Sequence, residues 1–140
     1  MRYLDRSQPL ALLVMRLALG VIMVAHGYHE VFGGLHQHAQ MAANLGLPTW
    51  ISALTELCGG LLILFGFFTR VAACVVFVDV IVAIWKVHLH NGLIGTPERP
   101  GYEFALAIAA LAFALIFLGG GPIAVDHVLR GGGRGTSKGS

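Results

Sequence analysis

The stretch WISALTELCGGLLILFGFFTRVAACVVFVDVIVAIWKV, residues 50–87, holds two apolar runs parted only by Thr69-Arg70. Trp50–Phe68 and Val71–Val87 each approach the roughly 17–25 residues that a helix needs to cross the hydrocarbon core of a bilayer. Both are too long and too uniformly apolar for barrel strands. Backbone in lipid must also satisfy its own hydrogen bonds, so both runs read as helices. The two-residue polar break predicts a tight antiparallel hairpin.

Outward from this hairpin lie two further apolar segments, Pro9–Tyr28 before it and Tyr102–Leu118 after it. The expected fold is therefore all-α, a four-transmembrane-helix bundle. Composition agrees: 56% of residues are hydrophobic and 11% charged, where soluble proteins carry about 25% charged residues. The N-terminal run is too long for a removable signal sequence, and three more follow it. The formal net charge of +2 forms no basic stripe of the kind that nucleic acid requires. Cys58 and Cys74 form no Cys-x-x-Cys pair, which argues against a disulfide framework and a thioredoxin-type centre.

Turn formers divide the rest. Gly33-Gly34 opens a histidine-bearing loop that ends at Leu47-Pro48. Asn91-Gly92, Gly95-Thr96-Pro97 and Pro100-Gly101 join the third and fourth segments, and Gly119-Gly120-Gly121-Pro122 ends the fourth. Residues 1–8 read as a cytoplasmic N-terminus, 9–127 as the membrane domain and 128–140 as a disordered Gly-rich cytoplasmic tail. Arg2, Arg6, Arg70, Arg130, Arg134 and Lys138 fall on one side of the spans and Arg99 alone on the other. Both termini are thereby expected in the cytoplasm of a bacterial inner membrane.

Ionisable groups inside spans cost roughly 2.5–3.5 kcal/mol each on insertion scales, so each requires a partner or a purpose. Arg16 in the first span and Asp79 in the third lie at similar depth, some 10–14 Å from the cytoplasmic boundary at about 1.5 Å per residue. They are expected to form a structural ion pair. Other polar groups gather at the outer ends: His26 and Glu30 on the first span, Glu56 on the second, Lys86, His88 and His90 on the third, Glu103 on the fourth. Glu56, Glu103 and His88 are the candidate proton-exchanging residues, and His26, Glu30, Lys86 and His90 the candidate pocket lining. The alternative for the acids is paired structural polarity. His36-x-His38 and His88-x-His90 suit a metal poorly, because two such rings on a helix point about 200° apart, and no metal is expected. Along the first span Arg16, Gly20, Met23, Gly27 and Glu30 trace one face, with small residues that permit close helix approach.

At these residues the chain resembles the DoxX family of small membrane proteins. The match runs through Arg16–Gly20 with His26-Gly27-Tyr28-His29, then Glu56-Leu-Cys-Gly59-Gly60 through Gly66 to Thr69-Arg70, then His88-Leu-His90-Asn91-Gly92 with Gly101-Tyr-Glu103, and last Gly119–Pro122 with Asp126 beyond. The family often has a lysine near the position of His29, and this chain does not. The resemblance implies a four-helix bacterial inner-membrane protein. It also implies association with quinone-linked oxidation of sulfur compounds or with thiol and oxidative-stress systems. The leading expectation is a redox-linked membrane subunit with a polar pocket near the periplasmic side, holding a quinone or small sulfur compound. No flavin motif, iron–sulfur cysteine set or deep haem-ligand pair is visible, so electrons would pass to a partner subunit or directly between bound molecules. The other two readings are a non-catalytic membrane anchor, working as a homo-oligomer or beside a soluble redox partner, and a small transporter or metal-handling protein.

Overall fold

The computed structural model describes residues 2–33 and 49–131, and the regular elements among them are helical. Helix α1 spans Arg2–Tyr28 and runs on into a π-helical turn, His29–Gly33. Helix α2 spans Thr49–Phe65. Helix α3 spans Thr69–Ala83 and continues through a π-helical turn, Ile84–His88, and a 3-10 turn, Leu89–Asn91. Helix α4 spans Glu103–Leu118, and a short α5 spans Val125–Gly131. The expected loop histidines His36 and His38 and the tail beyond residue 131 lie outside the described residues. Helix α1 begins well before Pro9, and α5 occupies the start of the expected tail. Pro9 lies inside α1 and donates no backbone bond there, and the helix continues through it.

The α2–α3 hairpin is made as the sequence predicts, and its turn is specific. Gly66 takes a left-handed φ of 71°. Its N–H donates to Ile63 O (3.1 Å) and that of Phe67 to Leu62 O (2.9 Å). These two bonds form a Schellman closure that satisfies the last carbonyls of α2. Phe68 is also left-handed, with φ 48° and ψ 40°, a conformation that costs a non-glycine residue roughly 1–2 kcal/mol. The start of α3 is then capped from far along the chain. The carboxylate of Asp126 accepts from the N–H of Phe68 (2.7 Å) and of Thr69 (2.8 Å), and the N–H of Asp126 donates back to Gly66 O (2.9 Å). Replacing Asp126 by Ala leaves two N–H groups without acceptors and is expected to cost roughly 1–2 kcal/mol, the range of a lost helix cap. Thermal unfolding in detergent measures it, and Asp126→Asn should recover part of the loss.

Helix α1 packs chiefly on α2, and α3 on α4, with α2 against α3 joining the two pairs. The core holds Leu19 and Met23 of α1, Ile63 of α2, Ala72, Ala73, Val76 and Val80 of α3, and Ile108, Ala109, Ala112 and Leu115 of α4. Alanine makes up half of the buried α3–α4 seam and lets the two backbones approach, while Val76, Val80, Ile108 and Leu115 fill it and Phe77 meets Phe113 beside it. On the α1–α2 seam glycines do the same. A Cβ on Gly20 would meet the backbone of Leu64 at 2.9 Å, and one on Gly60 the backbone nitrogen of Val24 at 2.7 Å. Gly59, the neighbour of Gly60, faces Val76 of α3 instead. The glycine pair lets α2 press on both neighbours at one level.

Large apolar side chains cover the outside, among them Leu10, Val14, Leu17 and Val21 of α1, Val71, Val75 and Val78 of α3, and Phe113 and Phe117 of α4. Ser7–Phe32 is long and apolar enough to cross a membrane, whereas the apolar helices Trp50–Phe65 and Glu103–Leu118 are shorter.

Candidate functional site

Ser52 and Glu56 stand one helical turn apart on α2 and so share a face. The Ser52 hydroxyl reaches the Asp79 carboxylate of α3, 2.9 Å from Oδ2 and 3.0 Å from Oδ1. Glu56 lies within electrostatic range of both Asp79 and Glu30. The third acid arrives from α1 because Gly27, one turn before Glu30, lies directly against the backbone of Leu57. Three helices thus deliver three carboxyl groups and a hydroxyl to one region. Oε2 of Glu56 is enclosed there without a hydrogen-bond partner. Buried polar atoms are paired in the great majority of cases, so an orphaned carboxyl oxygen marks a place where a proton, water or ligand belongs.

Both helices that flank Glu56 change geometry at this end. Glu30 sits in the π-helical turn that closes α1, and Lys86 in the one that closes α3. Such widened turns are rare and recur at functional sites, because they redirect a side chain without ending the helix.

The other candidates spread around the same end of the bundle. His26 turns back on its own helix, its Nδ1 lying 3.0 Å from Ile22 O, and stacks on Phe104 of α4 at 5.7 Å between ring centroids. Lys86 is half-buried and His90 exposed. Glu103 is the exposed first residue of α4, its N–H bonded to Leu93 O (3.1 Å). The backbone of His88 ends the π turn, and its side chain lies outside the described part of the structure. Among the described residues no three His, Cys, Asp or Glu side chains stand close enough to hold a metal ion.

The expected Arg16–Asp79 ion pair needs correction. Arg16 is only 4% exposed, and its guanidinium donates to Gly120 O (2.9 Å) and Ile123 O (3.1 Å) in the turn after α4. Its charge is opposed by Asp126, while Asp79 is bonded to Ser52. The two residues serve opposite ends of the molecule. Arg16 lies against Gly66 at the C-terminal end of α2, and Asp79 lies against Ser52 near its N-terminal end. Fourteen residues of helix separate these points, about 21 Å at 1.5 Å per residue. Counting depth from Pro9 misses this, because α1 begins at Arg2 and overhangs the α2–α3 turn, so that Arg16 lies level with Gly66 while Asp79 lies level with Ser52; the chain after α4 supplies the carbonyls that Arg16 binds. Arg70 reinforces the same corner by donating to Phe117 O (3.1 Å).

Two residues of these clusters had no assigned role in the sequence reading. Ser52 was detectable by its four-residue spacing before Glu56. Asp126 stood out only as an acid among apolar neighbours just past a glycine run, with no local partner to point to its use.

A family model for DoxX matches residues 11–89. The chain belongs to the DoxX family. The matched part contains Arg16, Glu30, Ser52, Glu56 and Asp79, so the acid region falls inside the DoxX segment, while Glu103 and Asp126 lie beyond it. A Bacillus subtilis (strain 168) protein named "Putative oxidoreductase CatD" is 29% identical over 115 residues, covering 80% of this chain and 83% of the relative. An uncharacterized protein of Haemophilus influenzae is 26% identical over 129 residues, covering 91% of this chain and 96% of the relative. No solved structure matches.

Proposed function

We propose that this DoxX protein is a four-span protein of the bacterial inner membrane with both termini in the cytoplasm. In this reading it is a redox-linked subunit that handles a quinone or small sulfur compound in the acid recess of α1, α2 and α3. The spanning part rests on the exposed apolar sheath, the length of α1, the continuous helical rod from Thr69 to Asn91, and the Lys/Arg asymmetry of the sequence. The shorter α2 and α4 fit a bundle whose ends draw the interface inward, since a short hydrophobic stretch is accommodated by local thinning at modest cost. The redox part is supported by the family and by the name of the Bacillus relative.

The observation that carries the site is the enclosed, partnerless Oε2 of Glu56 beside Asp79 and Glu30. The donor set suits a reduced ligand. Quinol hydroxyls or a thiol donate to carboxylates, whereas a quinone carbonyl is served only by an acid holding its proton, the Ser52 hydroxyl being engaged with Asp79. Oxidising a quinol releases two protons and two electrons. The acids accept the protons and pass them outward by way of Glu103 and His88, at the adjoining ends of α4 and α3. The electrons leave to a soluble redox partner or a second bound molecule.

The test is purification in mild detergent with mass spectrometry of co-purifying lipophiles, repeated for Glu56→Gln. Wild-type protein is expected to retain quinone or quinol, and Glu56→Gln to retain at least tenfold less, about 1.4 kcal/mol in affinity, with an unchanged melting temperature. Equal retention by the two proteins would remove Glu56 from the site. Retention of nothing, with a stable soluble protein pulled down instead, would favour the anchor reading.

A further inference from the structure

We propose that α5 is a membrane-surface helix that lies in the cytoplasmic leaflet and binds anionic lipid. This rests on the spanning reading above and extends it to a segment beyond the part that the DoxX model matches, residues 11–89. At about 100° per residue, Val125, Val128 and Leu129 share a sector roughly 100° wide. Asp126 and His127 lie outside that sector. The apolar sector does not face the bundle: Val128 is 70% and Leu129 61% exposed, and Ile123, just before the helix, is also exposed. The polar flank is the docked one, with Asp126 holding the α2–α3 turn through three hydrogen bonds. This is the reverse of a helix that folds onto a soluble core.

The height of α5 is set by that docking. It sits level with Phe67 and Phe68 of the turn and follows Phe117 and Leu118 at the end of α4, all four exposed. The apolar sector of α5 thus continues the apolar sheath around the rim of the bundle. Two basic side chains are exposed at the same end. They are Arg70 and His127, and along the sequence Arg130, Arg134 and Lys138 follow. A short helix with an exposed apolar face and basic neighbours partitions into the headgroup boundary, and its positive charges favour acidic phospholipid.

The experiment uses the full chain with Cys58 and Cys74 replaced by Ala, both being exposed and free. A single cysteine at position 127, 128, 129 or 113 carries a nitroxide label. The protein is reconstituted in vesicles of phosphatidylcholine with phosphatidylglycerol. Accessibility to oxygen, which concentrates in lipid, is compared with accessibility to a water-soluble nickel chelate. Labels at 128 and 129 are expected to favour oxygen severalfold and the label at 127 to favour the chelate. In pure phosphatidylcholine the labels at 128 and 129 should shift toward the chelate by at least twofold. Chelate-favouring labels at all three positions, with an oxygen-favouring label at Phe113, overturn the surface helix and leave the spanning reading intact. A chelate-favouring label at Phe113 overturns the spanning reading and this proposal with it. Depth that is unchanged without phosphatidylglycerol overturns the preference for anionic lipid.

Discussion

Arg16→Ala is expected to destabilise the protein by roughly 3–5 kcal/mol, the range found when one member of a buried charged network is removed. The guanidinium is almost wholly enclosed and bridges two carbonyls of the chain that follows α4. Its removal orphans Gly120 O and Ile123 O and takes away a positive charge that acts on Asp126. Lysine should restore little, because one ammonium cannot serve two separate carbonyls as a planar fork does. Thermal unfolding in detergent, followed by helical circular dichroism, gives the size of the loss. A double-mutant cycle gives its origin. Arg16→Ala and Asp126→Ala should couple strongly, whereas Arg16→Ala and Asp79→Asn should add, as sites without shared partners do. Coupling to Asp79 in place of Asp126 would restore the pairing that span depth alone suggested.

The second large effect is expected at Gly27. Its missing side chain is where the backbone of Leu57 sits, and a Cβ would come within 2.8 Å of Leu57 Cα. Backbone cannot rotate away as a side-chain end can, so α1 and α2 must part. Overpacking typically costs about 1–3 kcal/mol, and Gly27→Val is expected to reach or pass the upper end of that range, with Gly27→Ala below it. Denaturant titration of the detergent-solubilised protein measures the loss. The same change should weaken ligand retention, because Gly27 sets how near α1, and with it Glu30, comes to α2 and Glu56. A variant with wild-type stability would mean that the helices meet elsewhere. Gly92 provides the control: a Cβ there meets nothing within 4 Å, so its cost is limited to backbone strain at its positive φ of 81°.

Much of this architecture is legible in the chain. Uniform apolarity over helical lengths makes every segment a helix, and the Thr69-Arg70 break makes the hairpin. Glycines at four- and three-residue steps in α1 point to a close neighbour. The acid recess is partly legible: Glu56 and Glu30 can be assigned to the same end of the bundle by position along their helices. Asp79 cannot, because its depth suits either Arg16 or Glu56, and only the lateral order of the helices decides between them. That order depends on which glycine faces which backbone, as with Gly59 toward α3 and Gly60 toward α1. Adjacent identical residues carry no such label. The corner built from Arg16, Gly66, Gly120 and Asp126 was hidden for another reason. Its partners are mostly backbone carbonyls and N–H groups, which every residue possesses, so residue type does not advertise them.

Phe68 has a consequence for how the protein is made. Its left-handed backbone is held by a carboxylate 58 positions downstream, so the turn between α2 and α3 is completed only after α4 has been made. Until Asp126 arrives, the turn between α2 and α3 bears its strain and its bare N–H groups alone. A chain cut short before that aspartate would still hold the sequences of α2 and α3, yet the two N–H groups at the start of α3 would lack their acceptors and the turn would stay unsealed.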